Sequence, residues 1–213
     1  DVNRLHRYIT ETEGKISLFD VPLHYNFFNA SNDPNYNMSQ ILEHTLVKEN
    51  PCMAVTFVDN HDTQPGQALQ SFVQGWFKSI AYSIILLRND GYPCVFYGDY
   101  YGIEHDHIEP VNDLKTLMLI RKEKSYGLQH DYFDHNNFVG WTQEGDNEHI
   151  NSGLAVVISN AGDGYKRMYV GNKNVGEKYI DCLGNCEEEV TIDEDGCGNF
   201  SVKSRSVSVW IKK

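Results

Sequence analysis

The sequence has few positive charges, an odd handful of cysteines and no long apolar run, and each shortage excludes something. Lys and Arg together number 18 against 30 Asp and Glu, a net charge of -12. Nucleic acid is therefore not an expected partner, because its phosphates call for Lys and Arg. An acidic surface suits a neutral or cationic substrate, or simply solubility. The longest apolar run, Ile80 to Leu87, is too short to cross a bilayer, so no membrane partner is expected. No basic, apolar leader opens the chain; Asp1 to Thr10 instead reads as helix from the middle of a domain, and a fragment whose own N-terminus lies upstream is expected. The five cysteines, Cys52, Cys94, Cys182, Cys186 and Cys197, cannot all pair. The spacing of the last three offers three zinc ligands without a fourth, so scattered reduced thiols and a reducing compartment are the reading.

What is present is enough for a sizeable core and for two domains: 213 residues, 40% of them apolar. The stretch around which the rest is organised is Ala54 to Gly66. It starts as an apolar, β-branched run, Ala54 to Val58, with the composition of a buried strand. It then breaks into Asp59, Asn60, His61 and Asp62, and Pro65-Gly66 turns the chain. Around it lie a short helix over Asp1–Ile9 and a strand over Ile16–Phe19 ending at Asp20. A long loop is marked by Pro22, Asn32, Asp33, Pro34 and Asn35. Apolar spacing gives a helix over Met38–Leu46. Next come a long helix over Gln67–Asp90 with Gly91 as its cap, a buried strand over Pro93–Tyr97, and a helix carrying Leu114, Leu117, Met118 and Ile120. Alternating helix and strand implies a parallel sheet with right-handed crossovers. After Gly127 the pattern becomes seven short strands separated by Gly, Asn and Asp. The last of these has Val207, Val209 and Ile211 alternating with Ser208 and Trp210, as in an antiparallel Greek-key β-sandwich. The expected fold class is thus α/β plus all-β, with domains 1–126 and 127–213.

Three carboxylates follow three expected strands: Asp20, Asp62 and Asp99. In a parallel barrel they share one rim, and carboxylates at a rim suit glycoside cleavage. For Asp20 and Asp99 the preferred reading is structural, capping a helix or satisfying turn amides. Asp62 stands apart because His61, Asn60 and Asp59 crowd the same turn. The aromatic residues Phe72, Trp76 and Phe77 read as core, and His105 and His107 as a solvated rim loop.

Phe57-Val58-Asp59-Asn60-His61-Asp62 resembles the last signature motif of the alpha-amylase family of glycoside hydrolases. The resemblance continues through Phe19-Asp20-Val21-Pro22-Leu23-His24-Tyr25, His61 to Gln67, Trp76-Phe77-Lys78, Gly91-Tyr92-Pro93, Val95 to Asp99 and His130 to His135, and covers essentially the whole chain. It implies the second half of a (β/α)8 TIM barrel followed by the β-sandwich called domain C. It implies that Asp62 is the third catalytic carboxylate, a transition-state stabiliser, and that His61 hydrogen-bonds the sugar at the point of cleavage. Gln67 is a candidate for the cleft wall, with a polar residue at a helix N-terminus as the other reading.

The resemblance also implies an absence. The family's nucleophilic Asp, acid/base Glu, conserved Arg and main calcium site belong to strands upstream of Asp1, so the 213 residues alone are expected to be inactive. The expected partners are an α-glucan polysaccharide and the N-terminal half of the same enzyme, or self-association of an exposed half-barrel. Some relatives bind a further calcium beside domain C. The aligned positions here are the Pro34 and Tyr36 carbonyls with Asn136, Asn137 and Asn160, amides where calcium prefers carboxylates, so that site is expected to be weak or lost. The function implied is retaining endo-hydrolysis of α-1,4-glucosidic bonds in starch or glycogen; the alternative is a non-catalytic, amylase-like glucan-binding protein. Location leans to the cytoplasm, with secretion the alternative.

Overall fold

The computed structural model describes all 213 residues, and its chain divides into two compact units. The first comprises residues 1–33, 40–86 and 90–115; the second comprises 34–39, 87–89 and 116–213.

In the first unit, helix α1 (Val2–Glu11) is capped by the Asp1 side chain, and strand β1 (Leu18–Phe19) leads to Asp20. The Pro22 segment is helix α2 (Val21–Asn32) rather than the expected loop. Proline is well tolerated in a first helical turn, where its missing N–H has no intrahelical partner, and the Asp20 carboxylate accepts the Leu23 N–H. The helix expected over Met38–Leu46 is instead a 3-10 turn over Met38–Gln40, followed by the single-turn helix α3 (Leu46–Glu49). Strand β2 (Ala54–Phe57) pairs in parallel with β1 on one side and with β3 (Tyr92–Cys94) on the other, giving the order β1-β2-β3.

The long helix is shorter than its apolar stripe: α4 runs Gly75–Leu87. Residues 67–74 stay out of it because their N–H groups go elsewhere, Leu69 to the Asp62 carbonyl, Ser71 to the Thr63 carbonyl, and Val73 to the Asp59 carboxylate. Gly91 therefore caps nothing directly. Its φ is +80°, and a Cβ there would meet Thr56 Cγ2 at 2.9 Å, so the chain needs glycine to pass over β2. The strand expected over Pro93–Tyr97 ends at Cys94, and Tyr97 opens helix α5 (Tyr97–Tyr101). Nor is that strand buried: it lies at the edge of the sheet, and Tyr92 is 73% exposed.

Helix α6 (Leu114–Lys124) precedes an antiparallel assembly. Its strands are β4 (Gln129–Tyr132), β5 (Phe138–Gln143), β6 (Leu154–Ser159), β7 (Gly164–Tyr169), β8 (Lys178–Asp181), β9 (Val190–Thr191), β10 (Cys197–Val202) and β11 (Ser206–Lys212). The first of these was not expected: Gln129–Tyr132 is polar, and it is a strand because it pairs along its length with β5. Six strands form one sheet in the order β4-β5-β6-β11-β8-β9, and β7 pairs with β10 in a second. The two layers close on an apolar core in which Ala155, Val157, Tyr179 and Trp210 of the larger sheet meet Met168, Phe200 and Val202 of the smaller. This is the expected β-sandwich, with β11 returning between β6 and β8 rather than beside its sequence neighbour.

Candidate functional site

The polar tip of β2 is built from local hydrogen bonds. Residues His61–Thr63 form one turn of 3-10 helix with Asn60 as its cap. Asn60 Oδ1 accepts from the Asp62 N–H at 2.9 Å and the Thr63 N–H at 3.1 Å, while Thr63 Oγ1 accepts from the Asn60 N–H at 3.1 Å. This reciprocal box needs an Asn and a hydroxyl three residues apart, which the sequence supplies. The turn presents two side chains outward. His61 is 85% and Asp62 49% exposed, with His61 Nε2 lying 3.5 Å from Asp62 Oδ1.

Beneath the turn the carboxylates are buried. Asp59 accepts the Thr63 hydroxyl at 2.9 Å and lies 3.2 Å from Lys78 Nζ. Lys78 also pairs with Asp99, and Asp99 accepts the Tyr82 hydroxyl at 2.7 Å. Neither carboxylate is exposed, and Lys78 is nearly enclosed. Burial pushes the Asp59 carboxyl up to about 6, against the opposing pull of Lys78. Asp99 thus corrects one expectation: it caps no helix and satisfies no turn amide, but anchors a lysine.

Asp20 does what was expected of it. Besides Leu23, its oxygens accept the N–H groups of Leu46 at 3.1 Å and Val47 at 2.7 Å, tying α2 to α3. Burial raises its pKa, opposed by those same amides. So of the three carboxylates expected at a rim, Asp20 and Asp99 are interior and Asp62 alone is presented outward.

His24 was read only as part of a motif. It is buried, with Nδ1 donating to the Val58 carbonyl at 2.6 Å and Nε2 lying 2.9 Å from Ser71 Oγ, and it stacks on Phe57 with ring centres 5.1 Å apart. Burial lowers its pKa. The ring thereby staples the end of β2 to the segment after the Asp62 turn. A lone His inside an apolar motif gave no sign of this.

Gln67 is exposed and lies in the loop eight residues before α4, so the alternative reading of it as a helix N-terminal residue does not hold. His105 is 82% exposed, and His107 lies exposed beside it. A cavity of about 470 Å³ opens beside Lys78, lined among others by Gln64, Phe72, Ser79 and Asp113; His61 and Asp62 do not line it.

The residues aligned with a calcium position come together in the second unit, but as partners of one another. Asn137 Nδ2 donates to Asn160 Oδ1 at 2.9 Å, Asn160 Nδ2 donates to the Tyr36 carbonyl at 2.8 Å, and the Asn136 carbonyl accepts the Met38 N–H at 2.7 Å. Three amide side chains and two backbone carbonyls bring no negative charge, and the Asn160 Oδ1 and Tyr36 carbonyl oxygens already accept hydrogen bonds. The set does not fit calcium. No group of three or more His, Cys, Asp and Glu side chains able to hold a metal occurs elsewhere in the chain. All five cysteines are free thiols.

Comparisons with known proteins extend over the whole chain. Residues 154–211 match the family described as alpha-amylase C-terminal. The whole chain is 50% identical to an alpha-amylase of Geobacillus stearothermophilus and 49% identical to one of Bacillus licheniformis, covering 39% and 43% of their lengths. It is 40% identical, over 99% of its length, to the cytoplasmic alpha-amylase of Escherichia coli K12, of which it covers 45%. The chain is thus similar over its whole length to bacterial alpha-amylases, and its residues 154–211 resemble their C-terminal domain. It spans about two-fifths of the length of the curated relatives it matches.

Solved structures agree on the fold. An Anoxybacillus alpha-amylase matches 97% of this chain with a TM-score of 0.66 at 16% identity, over 49% of its own length. An alpha-amylase of Geobacillus thermoleovorans complexed with acarbose matches 97% with a TM-score of 0.68 at 15% identity, over 51% of its own.

Proposed function

We propose that this chain is the C-terminal portion of an alpha-amylase that hydrolyses internal α-1,4-glucosidic bonds of starch or glycogen with retention. In this reading Asp62 stabilises the oxocarbenium-like transition state and holds sugar hydroxyls, and His61 donates a hydrogen bond to the sugar at the cleavage point. The observation that carries it is the outward-facing His61–Asp62 pair on a capped turn at the end of a parallel strand, in a chain whose relatives are alpha-amylases over its entire length. We assign Gln67, exposed just after the turn, to the wall of the cleft.

A retaining glycosidase needs a nucleophile and an acid/base about 5 Å apart. The only outward carboxylate on the β2 tip is Asp62, so we assign the other two to sequence outside these 213 residues, and the chain alone is inactive. We further assign residues 1–126 to the second half of a (β/α)8 barrel and 127–213 to domain C. Edge residues of the parallel sheet support this: Phe19 is 54% and Tyr92 73% exposed, apolar surface that the rest of a barrel would cover. The partners are then an α-glucan and the remainder of the same enzyme. Five free thiols and the likeness to a cytoplasmic relative support a cytoplasmic location. Any calcium of the enzyme is assigned to the remainder.

The test is reducing-sugar release from soluble starch by the longer enzyme, by its Asp62→Ala form and by the 213-residue chain. The expected result is an active enzyme, a variant slower by roughly 10³-fold or more, and a silent chain. A longer protein that binds glucan but releases no sugar is a binding protein, and the reading falls.

A further inference from the structure

We propose that Lys78, Asp59 and Thr63 form a positioning clamp that holds the Asp62 turn against the interior, so that Thr63 and Lys78 act on catalysis without touching the substrate. The proposal rests on the amylase reading of Asp62.

The geometry leads there in three steps. The turn carrying His61 and Asp62 is only three residues long, and its own hydrogen bonds fix its shape but not its place. Its backbone is tied to the following segment by the Leu69 and Ser71 N–H groups, and its one side-chain tie to the interior beneath is the Thr63 hydroxyl, which faces inward and donates to Asp59 Oδ1 at 2.9 Å. Asp59 is in turn fixed by two groups from other segments, the Val73 N–H at 3.2 Å and Lys78 Nζ at 3.2 Å.

Lys78 is fixed as well. It lies one helical turn before Tyr82 on α4, so the two side chains share a face, and both reach Asp99 on α5. The chain of contacts thus runs from α5 through α4 to the end of β2, and its last link is Thr63, next to Asp62.

Stability does not explain this arrangement. Two buried carboxylates sharing one ammonium pay a desolvation cost that apolar side chains of similar volume avoid. The contrast with Asp20 is direct, since that buried carboxylate is satisfied by three backbone amides and needs no lysine. What the lysine-centred arrangement adds is a rigid seat for the turn. A carboxylate that stabilises a transition state works only if it is already in place, and a displacement of about 1 Å can cost 10²-fold in rate.

Thr63→Val tests this, because it keeps the volume and removes the hydroxyl's bonds to Asp59 and from the Asn60 N–H, Thr63→Ser restores both, and Lys78→Met, which leaves the Asn60–Thr63 box intact, is expected to lower kcat as Thr63→Val does. In the longer enzyme, Thr63→Val is expected to lower kcat on starch by roughly 10- to 100-fold with KM within about two-fold, and Thr63→Ser to recover most of it. In the same enzyme, amide hydrogen exchange over residues 59–66 is expected to quicken about ten-fold in Thr63→Val and to stay at the parent rate in Thr63→Ser. If Thr63→Val leaves both kcat and exchange unchanged, or Thr63→Ser is as impaired as Thr63→Val, the clamp is refuted while the amylase reading stands. If the parent longer enzyme releases no sugar, the amylase reading fails, and the exchange result alone decides the clamp.

Discussion

Both units hold a buried carboxylate on backbone amides, Asp20 in one and Asp181 in the other, but the parallel unit also buries a lysine between two carboxylates. In the sandwich, Asp181 is buried at the end of β8, and its oxygens accept the N–H groups of Val209, Leu183, Asn185 and Cys186 at 2.9 to 3.2 Å. That carboxylate staples a loop to a strand and involves no side-chain cation. Between the two sheets the core is an apolar cluster, in which Trp210 is fully buried and its ring centre lies 5.8 Å from that of Phe200. In the parallel unit, Asp59 and Asp99 are buried around Lys78, directly under an exposed His–Asp pair. A buried carboxylate tied to amides reads as architecture. One tied to a shared lysine beneath an exposed carboxylate reads as support for chemistry.

That contrast can be broken at either end. Lys78→Met leaves two carboxylates buried without their cation and should cost about 3–5 kcal/mol, seen as a lowered urea midpoint and lost exchange protection in β2. Trp210→Ala should cost a similar 3–5 kcal/mol for a different reason, a cavity between the two sheets, with the lost protection appearing in β6. If Lys78→Met proves no worse than an exposed substitution, the buried charge cluster is not what its geometry says.

A smaller effect sharpens the comparison. The Asp59 carboxyl sits at about 6 in the folded chain, above its ordinary value near 3.8. The folded state therefore binds more protons than the unfolded state between those values. The stability this contributes is full below pH 4 and is lost as the pH rises through 6, with a slope of at most about 1.4 kcal/mol per pH unit. Asp59→Asn should flatten that part of the stability–pH curve, measured by urea unfolding from pH 4 to 7.

The smallest expected effect is that of metal. Since Asn137, Asn160 and the Tyr36 carbonyl satisfy one another, a calcium chelator should leave the unfolding midpoint of the 213-residue chain where it was. A clear drop on chelation would show that these amides open to hold an ion.

How much of this could be read from the sequence differed between the units for a physical reason. The sandwich strands were legible because period-2 alternation and Gly/Asn punctuation are local signals. Gln129–Tyr132 escaped, since its strand character comes from β5 and not from its own residues. In the parallel unit the His61–Asp62 turn was plain from its motif, yet its surroundings were not. The apolar stripe of α4 ran on past its true start at Gly75, because nothing local shows that the Val73 N–H is claimed by Asp59 from 14 residues away. Pro22 looked like a loop marker until Asp20 was seen to cap the helix it begins. Lys78 carried no local signal at all: a lysine in an apolar helix is ordinarily solvated, and only the fold brings Asp59 and Asp99 to it.

The central claim is that Asp62 acts on the transition state. The direct measurement compares the longer enzyme with its Asp62→Asn form in two quantities, kcat on a maltooligosaccharide and the equilibrium Kd for the same sugar under conditions too brief for cleavage. The account predicts that kcat falls by roughly 10³-fold while Kd changes only a few-fold. Equal losses in kcat and in binding, or a kcat left intact, would contradict it.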